Sequence, residues 1–498
     1  MYFTLYNLDA MKPYHLLKKL FLLIIVVFFC SCSQDVQQKH IPITTTSSEA
    51  KDLYQEARQL QKQYDIVGAE EKLNKALNED STFALAYMMK GMISENFEQR
   101  RKNILKAMQY APLASDGEQL WIKARNMYYG TQDGDSTEYQ YFNKLVDLYP
   151  DDAYANYMFG FVNHHHNNFY PDSAIAYLKK AISLDEQFTL AIDDLVYAYM
   201  ENDDFLNAEQ MALKNVELLP ELADPKNTYA EILMQLGKHE ESIKMYRQAL
   251  EKDSTSAWSI IGIAANLNYL NRFKAAREEL DKLDDFSTIS DYNFRHKWRA
   301  RVVSYIEENK LDSAIVVLEK QKQLGLKNET KHEPLFHAYM SYLRKTNLLF
   351  ESGDFNTGMR EYEEWLNFAE NNISRETTLK NVRDLRHYYN AYSQYYLNEY
   401  NDAMDHLQNY KVAISNENEH YVQLKTKLLL KEGRINEARE ILESNGLINP
   451  YEQQLYATAL ALDEQKEESV QWIKKIMNTY LIDDIDLSLA RAKVKSKL

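Results

Sequence analysis

Glycine, proline and cysteine are all scarce in this 498-residue chain, at 13, 9 and 2 residues. Loops that wrap a phosphate or shape an oxyanion hole draw on glycine's conformational freedom. So few glycines and prolines argue against a loop-rich enzyme scaffold and suit long helices joined by short turns. No GxxxxGK[ST] phosphate loop, GxSxG nucleophile elbow or HExxH zinc pair occurs. The two cysteines, Cys30 and Cys32, share one N-terminal segment, which excludes a disulfide, a cysteine metal site or a cysteine nucleophile in the rest of the chain. Basic residues are outnumbered, 58 Lys plus Arg against 74 Asp plus Glu, for a formal charge of −16. That sign repels phosphate backbones, so nucleic acid is not an expected partner, and the acidic excess reads first as a solubilising surface. No enzyme activity, cofactor or metal is expected.

No apolar run reaches the roughly 20 residues of a membrane span. A shorter run is present, however. Lys18 and Lys19 precede the apolar stretch Leu20 to Phe29, which ends in Cys30-Ser31-Cys32-Ser33. A basic flank, a short apolar core and a small residue before the cleavage point read as a secretory signal. A cysteine directly behind the core resembles a bacterial lipoprotein signal, in which that cysteine is lipid-modified, for example with palmitate. Ser31 favours Cys32 as the anchor, with Cys30 as the alternative, and an uncleaved signal anchor as a further one. Met11-Lys12 is a more natural start than Met1. Residues 1–32 are thus expected to be a signal segment and 33–48, polar and rich in Thr and Ser, a flexible tether.

What the chain has in abundance is helical periodicity. Apolar residues make up 45% of it, and 37 are Tyr, ample for a buried core. Ala174, Ala208, Ser242 and Ala276 stand 34 residues apart. Four residues after each come Leu178, Ala212, Tyr246 and Leu280, and three later again Ala181, Asn215, Ala249 and Leu283. A small residue, a bulky one at i+4 and a third at i+7 share one helical face. The small residue admits a neighbouring helix and the larger ones fill the space above it. Weaker copies run from Leu53, Ala57 and Leu60 near the start to Gly433, Ile435, Ala438 and Leu442 near the end. The step lengthens around Gly358, so residues 325–333 read as a joint between an N-terminal array, 49–325, and a C-terminal one, 326–482, with 483–498 as a tail.

A period of 34 with a small residue in the second helix and an aromatic or Pro three positions before it resembles the tetratricopeptide repeat. Trp298 matches that family's first-helix Trp, while its Gly-Tyr pair is patchy here. The resemblance implies an all-α fold, an α-solenoid of about eleven or twelve helix-turn-helix units in a right-handed superhelix. It also implies that ligands lie in the concave groove formed by the first helices. By spacing, that face carries Tyr154, Tyr157, Phe161 and His164, then Asp193, Tyr197 and Met200, then Trp258 and Asn268, and finally His296 and Arg299. These are the candidate protein-binding residues, because grouped, partly exposed aromatics are what binding hot spots use. Packing between repeats is the competing account of the same aromatics. The His164-His165-His166 run reads as a surface turn, since consecutive helical residues diverge by about 100° and three cannot reach one ion without leaving the helix.

The function expected is therefore a non-catalytic scaffold, lipid-anchored in the cell envelope at the outer membrane or facing the periplasm, that offers its concave surface to a protein or peptide. Two other readings stay open. One is a solute-binding nutrient-uptake lipoprotein, although the long Gly-, Asn- and Pro-rich loops of such proteins are missing. The other is an envelope sensor or secretion-assembly factor. Partner identity and oligomeric state are not legible.

Overall fold

The computed structural model describes residues 40–94, 96–130, 134–165, 171–286, 289–327, 333–414, 418–447 and 449–495. The signal segment with Cys30 and Cys32, residues 33–39 of the tether and His166 lie outside the described residues. Within them the fold is all-α, with 25 α-helices and no strand. No described helix is long and apolar enough to cross a membrane. The chain divides into two compact units, residues 1–211 and 212–498.

In unit 1 the helices are α1 (Ser48–Lys62), α2 (Ile66–Glu79), α3 (Ala84–Ile93), α4 (Phe97–Tyr110), α5 (Asp116–Gly130), α6 (Gly134–Leu148), α7 (Ala153–His165), α8 (Pro171–Leu184) and α9 (Thr189–Glu201). The boundary falls within α10 (Phe205–Leu218). Unit 2 continues with α11 (Asp224–Gln235), α12 (His239–Lys252), α13 (Ala257–Tyr269), α14 (Phe273–Asp281), α15 (Asp291–Glu307), α16 (Leu311–Leu326), α17 (Pro334–Ser352) and α18 (Phe355–Asn372). It ends with α19 (Glu376–Tyr396), α20 (Tyr400–Ile414), α21 (Glu419–Lys431), α22 (Ile435–Asn445), α23 (Pro450–Leu462), α24 (Lys466–Met477) and α25 (Ile485–Lys495). Odd-numbered helices open the successive hairpins up to α24, and α25 stands alone.

The periodic residues are the ones that pack. Ala174, Ala208, Ser242 and Ala276 are each fully buried, and so are Leu178, Tyr246 and Leu280. Tyr246 is far bulkier than its counterparts, and Gly262 on the next helix makes room for it: a Cβ there would lie closer than 3.0 Å to three of its ring carbons. The turns repeat as faithfully. Asp203, Gly237 and Asn271 all take left-handed φ, at 57°, 73° and 59°. The following N–H groups of Asp204, Lys238 and Arg272 reach back to the carbonyls of Tyr199, Leu233 and Leu267, each at 2.8 Å. This six-to-one closure stops the first helix and turns the chain into the second.

Two boundaries differ from those expected. On either side of the expected joint the helices pack together: a Cβ on Gly325 would sit 2.6 Å from the Pro334 carbonyl, so α16 and α17 approach closely. One buried cluster runs through that point, from Val302 and Leu318 to Tyr362 and Leu460. The lengthened step there reflects longer helices. Within the expected tail, α25 is packed, since its Leu487, Leu489, Ala490 and Val494 are buried.

Candidate functional site

The sequence periodicity assigns the first helices of the hairpins to an inner face, and in each unit that face is met by a terminal segment of the same chain. In unit 1 the segment is 41–46, which is neither helix nor strand. Its main-chain N–H groups donate to three carboxylates: Ile41 to Asp152 at 3.0 Å, Thr44 to Glu118 at 2.8 Å and Thr46 to Asp80 at 2.8 Å. The Thr44 and Thr45 hydroxyls add bonds to Glu118 and Asp80. All three acids are themselves buried. Burial works against an Asp80 carboxylate, but hydrogen bonds from Thr45 and Thr82 overcome it and hold its pKa well below the usual range. Ile41, Pro42 and Ile43 line a pocket with Tyr54 and Arg58 of α1, Met89 of α3, Trp121 of α5 and Tyr154 of α7. The outer half of the expected tether is therefore a docked strap.

This docking changes the status of the candidate residues in unit 1. Tyr154 is buried, with the Arg58 guanidinium 3.7 Å above its ring centroid. The end of α1 reaches the start of α9, where Lys62 pairs with Asp185 and its carbonyl accepts from the Thr189 hydroxyl. Tyr157 is half-buried, and burial followed by the Asp194 charge pushes its phenol well above its ordinary pKa. Phe161, Asp193 and Met200 are half-buried, His164 is buried and Tyr197 is exposed. Phe161 packs on His165, ring centroids 4.3 Å apart.

Unit 2 is met from the other terminus. Tyr480 packs on His239 and Tyr269, at 4.5 and 5.0 Å between centroids. The Tyr269 phenol accepts from the Leu481 N–H at 2.7 Å and donates to the Leu481 carbonyl. Asp483 takes up two candidates, His296 at 2.8 Å and Arg299 at 3.5 Å. Trp258 stacks edge-on to His296 at 5.2 Å, and Asn268 is buried. His296 and Arg299 thus hold the C-terminal segment.

Further along, α25 plants Lys493 on Glu351, a half-buried carboxylate that also meets Lys427 at 3.5 Å and the phenols of Tyr392 and Tyr451 at 2.6 and 2.9 Å. Burial opposes this charge, yet Lys427 and Lys493 hold Glu351 far below its usual pKa. A cavity of about 180 Å3 adjoins this cluster, lined by Tyr388, His420, Gln423 and Asp486 among others. Burial, then the neighbouring Asp484, raises Asp486 to about 6.

Periodicity did not single out Asp80, Glu118, Asp152 or Glu351. A recurring Asp at the loops between hairpins was the available signal, since Asp80 and Asp253 both precede Ser-Thr.

Residues 223–254 match the family described as "Tetratricopeptide repeat". No curated protein matches the chain. Among solved structures it is similar to PilW, a widely conserved type IV pilus biogenesis factor, at 19% identity over 43% of this chain and 98% of that one, with a TM-score of 0.31. It is similar to YrrB, a protein with an unusual peptide-binding site, at 17% identity over 36% and 89%, with a TM-score of 0.28. PilF of Pseudomonas aeruginosa is similar at 14% identity over 44% and 95%, with a TM-score of 0.32.

Proposed function

We propose that this chain, a tetratricopeptide-repeat protein, is a non-catalytic scaffold, anchored in the cell envelope by a lipid on Cys32, that receives a non-helical protein segment on the inner face of unit 1. One observation carries the reading: that face already holds such a segment, residues 41–46, through carboxylates aimed at its main-chain N–H groups. Main-chain donors are common to every non-proline peptide, so a partner segment can use the same three acceptors. The apolar pocket beside them selects for residues like Ile41 and Ile43. The strap then competes with the partner for one groove.

Docking also shortens the leash. With residues 41–46 held, only residues 33–40 separate Cys32 from the repeat array. Eight extended residues span at most about 28 Å, so the strap keeps unit 1 close to the membrane until a partner displaces it.

The test uses the full chain with Ile41→Asp and Ile43→Asp, which loosens the strap, titrated with a labelled peptide of residues 40–47. Saturable binding is expected, weaker to the unmodified chain and weaker again when Glu118→Gln is added. A peptide that ignores the loosened chain removes the groove from consideration. Palmitate labelling lost on Cys32→Ser supports the anchor, and labelling that persists moves it to Cys30 or rejects it.

A further inference from the structure

The histidine run that reads as a surface turn has a different aspect in three dimensions. His164 and His165 are the last described residues of α7. The imidazoles of His164 and His165 are in contact, their centroids 4.4 Å apart. Across from them, on α9, stand Asp194 and Glu201, one helical face apart by spacing. His165 Nε2 lies 3.3 Å from Asp194 Oδ1, and His164 Nε2 lies 3.2 Å from Glu201 Oε2. One ligand atom each from His164, His165 and Asp194 fall within 4.8 Å of one another.

We propose that His164, His165 and Asp194 form a binding site for a divalent transition ion of the zinc type, with solvent taking the fourth position. The distances suit it. Tetrahedral zinc with bonds of about 2.0–2.1 Å places its ligand atoms about 3.3–3.4 Å apart. The His165–Asp194 distance already has that length, and a ligand atom of His164 lies within 4.8 Å of both. Two imidazoles with one carboxylate favour zinc and its neighbours over magnesium or calcium, which take all-oxygen sets.

The surroundings prepare the ligands. The His164 side chain is only 2% exposed and Asp194 16%, so the inner ligands are shielded while His165, at 45%, leaves an entry path. Tyr157 hydrogen-bonds Asp194, the kind of outer partner that orients a metal carboxylate. The bound ion would clamp α7 to α9, the first helices of consecutive hairpins, through bonds that do not depend on the strap.

The experiment takes the full chain, free of any added histidine tag, stripped with chelator and titrated calorimetrically with Zn2+ in the presence of excess Mg2+. One Zn2+ per chain is expected, with X-ray absorption showing two imidazole nitrogens on the metal. His165→Ala and Asp194→Asn should each weaken binding by roughly tenfold or more. The zinc-induced rise in melting temperature should vanish in His165→Ala, whose exposed position spares the fold. No binding by the unmodified chain, or unchanged affinity in both variants, overturns the site.

Discussion

Gly262→Ala adds one methyl group at the seam between α12 and α13, and its cost can be worked from the packing. The new Cβ would fall within 3.0 Å of three carbons of the Tyr246 ring. Tyr246 is fully buried, so the ring cannot swing into solvent to escape. Overpacking a filled core costs about 1–3 kcal/mol. Against that, alanine gains about 1 kcal/mol over glycine in a helix interior. With the ring enclosed on all sides the clash dominates, and a net loss of about 1–2 kcal/mol is expected. Tyr246→Leu alone should also destabilise, by leaving a cavity. Combined, the two changes should relieve each other, because the alanine methyl occupies part of the space that the phenol vacates. A double-mutant cycle should therefore return a coupling of about 1 kcal/mol or more. Urea unfolding gives the totals, and hydrogen exchange on peptides from α12 and α13 localises the effect to this seam. Unchanged stability in Gly262→Ala, or strictly additive losses in the double variant, would show that the two side chains do not meet as described.

Other perturbations follow from the same packing. Glu351→Gln removes the anion between Lys427 and Lys493 and should cost about 3–5 kcal/mol, the loss seen when one partner of a buried pair is deleted; hydrogen exchange across 485–495 should rise with it, and protected amides there would contradict the link. Burial raises the half-buried Glu231 carboxyl to about 7 despite a hydrogen bond from Trp258. The native state then holds this proton at pH values where the unfolded chain has lost it, so its contribution is full below about 4.5 and is lost as pH rises to 7. The loss is at most about 3 kcal/mol. Glu231→Gln should flatten the fall in urea midpoint between pH 5 and pH 8, and an equal fall in both proteins would refute the assignment. Glu464 is exposed and takes a left-handed φ of 60°. Glu464→Gly should raise stability by roughly 0.5–1 kcal/mol, read as a higher melting temperature.

Much of the fold was legible because its information is local. The small-bulky pattern at Ala174, Leu178 and Ala181 sets a helical face within two turns, and its return every 34 residues repeats the same face without reference to the rest of the molecule. The turns are local too, since a six-to-one closure at Asp203 or Asn271 needs only a residue that tolerates positive φ. The sites were less legible. Asp80 and Asp253 each precede Ser-Thr, and each accepts from the N–H two residues on, at 2.9 Å. Only Asp80 has a strap on its second oxygen, and nothing near either residue says so. Likewise Trp258, His296 and Arg299 sit on the helical face that spacing assigns them, yet Asp483 reaches His296 from 187 residues away. His164 and His165 diverge on an ideal helix, yet they meet Glu201 and Asp194 because α9 lies alongside α7. Periodicity determines which side of each helix is buried. What that side finally touches depends on how small rotations accumulate from hairpin to hairpin until distant segments meet, and that is decided only in the tertiary structure.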